Sequence, residues 1–186
     1  MQRIFIIHGW GGSPKGDWML WAKRVLTEKG YEVFVPEMPD TEHPKIGPWI
    51  EKMKKTVGVP RPDDFFIGHS IGCQTILRYL KTLSEGIKVG KVILVAPWWY
   101  LTLDENEAQA DADSWLKMDV NFEKVKSKAG KFVAVFSDND PWVPIEENLE
   151  YFKEKLNPEI VVKNKMGHFT ADEGSTELPL LLEPFK

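Results

Sequence analysis

The sequence predicts an α/β fold, a three-layer sandwich whose six-stranded, mainly parallel sheet runs in the order 2-1-3-4-5-6 with helices on both faces and no large cap domain. Three observations point to it. Six short apolar runs alternate with helical patterns along the chain. Most of these runs are apolar on consecutive positions, as suits strands covered on both faces. One run passes straight into a helix through a turn bounded by glycines.

The strands are expected at RIFII (3–7), YEVFV (31–35), DFFIG (64–68), KVILVA (91–96), KFVAVF (131–136) and EIVVK (159–163), each rich in β-branched or aromatic residues. Helical patterns fill the intervals. WMLWAKRVLTEKG ends at Gly30, a segment forms around PWIEKMKK, IGCQTILRYLKTLSEG ends at Gly86, and IEENLEYFKEKL is stopped by Asn157 and Pro158. The longest interval without a strand runs from Pro97 to about Gly130, with acidic LDENEAQADAD early and a helix expected near NFEKVKSK. It is long enough to contribute to a lid and too short for a separate cap domain. No repeat or linker divides residues 1–186, so one domain is expected.

Composition narrows the function classes. Hydrophobic residues at 42% and charged residues at 28% describe an ordinary globule able to bury a core. A net charge of −4 with scattered Lys and Arg gives no footprint for nucleic acid or for an anionic membrane. The lone Cys73 forms no internal disulfide. The run after Arg3 stops at His8 and Gly9, short of a signal peptide's ~7–15 apolar residues, and VILVAPWWYLTL falls short of the roughly 18 residues of a membrane span. The expected location is cytoplasmic and the expected state a monomer or weak homodimer.

Gly68-His69-Ser70-Ile71-Gly72 matches G-x-S-x-G, and its context is what gives it weight: the strand DFFI enters it and the helix IGCQTILRYL leaves it without a spacer. So sharp a turn strains the serine backbone and exposes Ser70 beyond the strand's carboxyl end. A βα turn glycine-rich for packing alone, with Ser70 as a helix cap, is the plain alternative.

A serine hydroxyl is a poor nucleophile at neutral pH and needs a base oriented by a carboxylate. In an α/β-hydrolase-like chain order the acid and then the histidine follow the serine, and only His168 does so. His8 and His43 precede Ser70, and the side chain of His69 is expected to point away across the turn. His168, in MGHF, follows the last strand. For the acid, Asp138 and Asp140 both lie in the loop after KFVAVF; Asp140, before Pro141 in DPWVP, is the first choice, and Asp138 is then left to bond backbone groups in the turn.

Charge developing on a carbonyl oxygen needs donors, and the backbone amides of Ile71 and Trp10 are expected to form the oxyanion hole. Trp10 lies in HGWGG after the first strand, whose loop meets the elbow where strands 1 and 3 adjoin. Of the eight tryptophans, Trp98, Trp99 and Trp142 also fall in loops at this edge and are candidates for an apolar pocket. Trp18, Trp21 and Trp49 lie on helical patterns and are expected in the core.

These residues, with Trp18 and Trp21 as W-x-x-W, MPD at Met38–Asp40, DENE at Asp104–Glu107, NDPWVP around Asp140 and GHF at Gly167–Phe169, make the chain resemble the retinoblastoma-binding-protein-9-like serine hydrolases, small α/β hydrolases, nearly end to end. The resemblance implies a triad of Ser70, Asp140 and His168, no metal and no organic cofactor, and small acyl esters or amides as substrates. The chain departs from the family's L-x-C-x-E segment, since Ile71 and Thr75 flank Cys73, so retinoblastoma binding is not carried over. The expected activity is acyl transfer through a serine ester, of carboxylesterase, thioesterase or aminopeptidase type. The rival reading is an interaction or scaffold protein that keeps the fold with little turnover.

Overall fold

The computed structural model describes residues 1–103 and 109–185; the DENE segment lies outside them. Six parallel strands form one sheet: β1 Arg3–Ile7, β2 Glu32–Phe34, β3 Phe65–His69, β4 Val89–Val95, β5 Ala129–Ser137 and β6 Glu159–Lys163. Their spatial order is β2-β1-β3-β4-β5-β6, as expected. Helices α1 Met19–Glu28, α2 Ile46–Val57, α3 Ile71–Thr82, α4 Gln109–Lys117, α5 Phe122–Ser127 and α6 Ile145–Leu156 lie between the strands. No helix among the described residues is long and apolar enough to cross a membrane.

Continuous apolar strands feed two cores because alternate side chains leave opposite faces of the sheet. Phe5, Ile7, Phe66, Val92, Leu94 and Phe136 pack on one side with residues of α2, α3, α5 and α6. Ile4, Ile6, Ile67, Ile93, Val95 and Val135 pack on the other with α1 and the C-terminal Leu178 and Leu181.

Several ends follow local chemistry. Pro48 stands in the first turn of α2, where its missing N–H has no intrahelical acceptor to lose. Asn157 ends α6 in the left-handed conformation at φ 47°. Beneath the sheet, Arg3 donates to both carboxylate oxygens of buried Asp64 at 2.8 and 2.6 Å and to the carbonyls of Val57 and Val59, tying β1 to the chain between α2 and β3.

Candidate active site

The parallel sheet brings the loops after β1, β3, β4, β5 and β6 to one edge, the carboxyl ends of the strands, where open α/β folds place their ligands. At the junction of β3 and α3, Ser70 sits at φ 53° and ψ −119°, a conformation that L-residues rarely adopt. Its amide donates to the Val95 carbonyl at 2.9 Å, and its own carbonyl accepts from Cys73 at 2.9 Å, so neighbours on both sides hold the strain. The glycines are required by close approach. A Cβ on Gly72 would lie 2.2 Å from the Ile7 carbonyl oxygen, and one on Gly68 would lie 2.7 Å from the Cys73 nitrogen.

Across the edge, the side chains of His168 and Asp140 meet. The His168 Nδ1 lies 2.7 Å from Asp140 Oδ2. A carboxylate only accepts, so Nδ1 carries the hydrogen and Nε2 of the neutral ring is left with a free lone pair. Asp140 is held in turn by the amides of Trp142 and Val143, both donating to its Oδ1 at 3.0 Å. Both side chains of the pair are nearly buried, at 7% and 2% exposure.

The rest of the loop after β5 grips the loop after β6. Asp138 Oδ1 accepts the Lys165 amide at 2.8 Å, Ser137 Oγ the Met166 amide at 3.0 Å and Asn139 Oδ1 the Gly167 amide at 2.9 Å. Four consecutive side chains, 137 to 140, thus bind four consecutive residues, 165 to 168. From the other side, Glu173 Oε2 accepts the His168 amide at 2.6 Å and the Thr170 hydroxyl at 2.8 Å. Ser137 and Glu173 carry no motif that marks them in advance, and Asn139 opens NDPWVP without a role being assigned to it; the pairing of β5 with β6 brings Ser137 and Asn139 to the histidine loop.

His69 departs from expectation. Its ring does not point away: Nε2 donates to the His168 carbonyl at 2.7 Å, and the two rings lie 5.2 Å apart. The turn at Ser70 is tight enough that the preceding side chain swings under the loop after β6. Burial, reinforced by the neighbouring His168, pushes its pKa down to about 4, so the ring is neutral near pH 7.

In the loop after β1, His8 is buried, its Nε2 accepts the Met38 amide at 3.2 Å and its Nδ1 meets the Gly9 carbonyl at 3.0 Å. Burial lowers its pKa too, which suits a neutral ring with the hydrogen on Nδ1. Gly11 and Gly12 donate their amides to the carbonyls of Thr41 and Gly9, while the Trp10 amide has no acceptor among the described residues. The Trp10 indole donates to the Glu42 carbonyl at 2.9 Å. Ile71 opens α3, where the first amides of a helix lack intrahelical acceptors.

A cavity of about 430 Å³ opens here, lined among others by Trp10, His69, Ser70, Trp98, Trp142 and His168. Trp142 packs edge-on against His168 with ring centroids 5.0 Å apart. Trp98, almost fully buried, lines the same cavity. Trp99 does not belong to the pocket: adjacent residues face opposite ways, and its ring stacks on Tyr151 at 5.0 Å, beside Phe122 and Arg78. Trp18 and Trp49 are fully buried. No cluster of His, Cys, Asp and Glu able to hold a metal ion occurs among the described residues.

Known proteins place this architecture. Rat serine hydrolase RBBP9 is 26% identical over 174 residues, covering 92% of this chain and 89% of its own. YdeN of Bacillus subtilis (strain 168) is 24% identical over 182 residues, 98% of this chain and 93% of the other. The crystal structure of the ydeN gene product superposes with a TM-score of 0.90 at 24% identity, over 100% of this chain and 97% of that one. Est1E of Butyrivibrio proteoclasticus, solved with ferulic acid bound, has a TM-score of 0.70 at 15% identity, over 100% of this chain and 90% of its own. At such identities the solved structures share the fold. A family model described as serine hydrolase matches residues 4–186, nearly the whole sequence. The chain is therefore a hydrolase and belongs to the serine hydrolase family, among its RBBP9-like small α/β hydrolases.

Proposed function

We propose that the protein cleaves small acyl esters or amides through an acyl-enzyme on Ser70. His168 Nε2 takes the hydroxyl proton as Ser70 Oγ attacks the carbonyl carbon, and returns it to the leaving alcohol or amine. Asp140 holds the ring in the tautomer that leaves Nε2 basic and stabilises the imidazolium that forms. The amides of Ile71 and Trp10 receive the oxyanion. Water, deprotonated by the same Nε2, then attacks the ester carbonyl and releases the acid and free Ser70.

One observation carries this reading: the 2.7 Å contact of His168 Nδ1 with Asp140 Oδ2 lies at the wall of the same cavity as strained Ser70. The apolar indoles of Trp98 and Trp142 support an acyl or aryl group of modest size. A fluorophosphonate probe tests the assignment. Labelling is expected on Ser70 of the folded wild type and is expected to vanish in His168→Ala; an unlabelled wild type would sink the nucleophile.

A further inference from the structure

β6 is the last strand of the sheet: it pairs with β5 on one side and, among the described residues, with no strand on the other. Its open side can be read residue by residue. The Lys163 carbonyl accepts the Asp138 amide at 3.0 Å, from the β5 side. Backbone groups alternate along a strand, so Glu159, Val161 and Lys163 turn theirs toward β5, while Ile160 and Val162 each turn an N–H and a C=O to the outside. Such a row of outward groups is a template for a further strand. β2, at the far edge, is three residues long and offers no comparable ladder.

The side chains say which strand that is. Ile160 packs against the core on one face, Val161 against the core on the other, and Val162 is left 47% exposed. Charges stand only at the two ends, Glu159 and Lys163, with opposite signs. No proline or charge interrupts the three apolar positions between them, although these are the devices that keep an edge apart. Run antiparallel against itself, Glu-Ile-Val-Val-Lys is self-complementary: Glu159 falls opposite Lys163, Ile160 opposite Val162, and Val161 opposite Val161. A parallel alignment would instead set Glu159 against Glu159 and Lys163 against Lys163.

We propose that β6 is a homodimer interface, pairing antiparallel with β6 of a second copy of this chain about a twofold axis through Val161. Ile160 and Val162 of each copy exchange N–H to carbonyl bonds with Val162 and Ile160 of the other, and the two six-stranded sheets become continuous. Val161 meets its counterpart in a pair without mutual hydrogen bonds, where side chains stand closest, and exposed Val162 is covered by Ile160. Each Glu159 stands opposite Lys163 of the other copy while keeping its ion pair with Lys131. Because the strands run antiparallel, the carboxyl ends of the two sheets point opposite ways and both cavities stay open. The contact is small, so the dimer is a weak one.

Sedimentation velocity on the full chain tests this, from about 10 µM to about 1 mM. The wild type is expected to pass from monomer toward dimer as the concentration rises. Val162→Pro removes an outward N–H and leaves the pairing with β5 untouched, so that variant is expected to stay monomeric throughout. Should it misfold, the charge variants decide alone. Glu159→Lys and Lys163→Glu, each by itself, turn both cross-strand attractions into repulsions and are expected to raise the dissociation constant about tenfold or more at low salt. Mixed in equal amounts, the two variants carry opposite charges at every facing position and are expected to regain association as a heterodimer of near wild-type strength. A wild type that stays monomeric over the whole range overturns the interface. A dimer that persists in folded Val162→Pro, or that the single charge variants leave unchanged, places the contact elsewhere and overturns it too. Single variants that weaken the dimer without recovery on mixing overturn the antiparallel register.

Discussion

Asp138 and Asp140 stand two residues apart and bind opposite ends of one loop: Asp138 Oδ1 takes the Lys165 amide at 2.8 Å, and Asp140 Oδ2 takes the His168 imidazole at 2.7 Å. The two carboxylates therefore answer differently to loss of charge. Asn at 138 still offers an oxygen to an amide. Asn at 140 offers Nδ1 either an oxygen without charge or a donor that forces the wrong tautomer. Asp140→Asn is expected to lower kcat on a p-nitrophenyl ester by about 10³–10⁴, the scale of losing the orienting acid of a triad. Asp138→Asn is expected to change it by less than about threefold, because that oxygen only receives a neutral hydrogen bond. Comparable losses in both variants would show that the charge of Asp140 is not special.

The backbone of Ser70 yields a second prediction, read from stability. At ordinary helix or strand positions Gly is less stable than Ala by roughly 0.5–1 kcal/mol. At φ 53° and ψ −119° the order should reverse, since a Cβ is strained there and Gly is not. Ser70→Gly is expected to be more stable than Ser70→Ala by about 1 kcal/mol in urea unfolding at pH 7. Both variants lack the hydroxyl, so the comparison isolates the backbone. A Ser70→Ala protein as stable as Ser70→Gly, or more so, would contradict a strained elbow.

The fold was legible because each strand announces itself by an apolar run and each junction by Gly, Asn or Pro. RIFII and EIVVK coincide with β1 and β6, whereas β4 and β5 each begin two residues before their apolar runs, at Val89 and Ala129. The short lead-ins VG and AG, each interrupted by glycine, carry no strand period, yet Val89 pairs with Ala129 in the ladder. Helix α4, Gln109–Lys117, carries no clear helical signal in the sequence, since its first half is the acidic QADAD and it buries only Ala112 and Trp115. At the site, Ser70, Asp140 and His168 could be nominated from order along the chain. The direction of a side chain could not. Trp98 and Trp99 are neighbours in sequence and part company in space, and His69 turns toward His168 only because the loops after β3 and β6 converge. Contacts between distant loops, such as Asn139 with the Gly167 amide, depend on the closed structure alone.

The depressed pKa of His69 makes the fold sensitive to acid in a definite window. Its folded pKa is about 4, against roughly 6.5 for an unfolded histidine. Between those values the unfolded chain binds the proton and the folded one does not, so stability rises with pH across the window and is lost as pH falls through it. Above about pH 7 both states are neutral at this residue and the effect is absent; below about pH 4 both are protonated and the loss is complete. The gap converts to about 3 kcal/mol at most, of which roughly 2 kcal/mol is already lost by pH 4.5. His8 is shifted in the same direction by burial and contributes to the same slope, so the test must isolate His69. Gln at 69 cannot titrate and keeps an amide N–H for the His168 carbonyl. Urea unfolding at pH 7.0 and pH 4.5 is expected to show the wild type losing about 2 kcal/mol more than His69→Gln over that interval. The comparison is one of slopes, so a constant destabilisation of the variant does not disturb it. Equal losses in the two proteins would mean that the folded state accommodates a charged His69, and the neutral ring beside His168 would have to be abandoned.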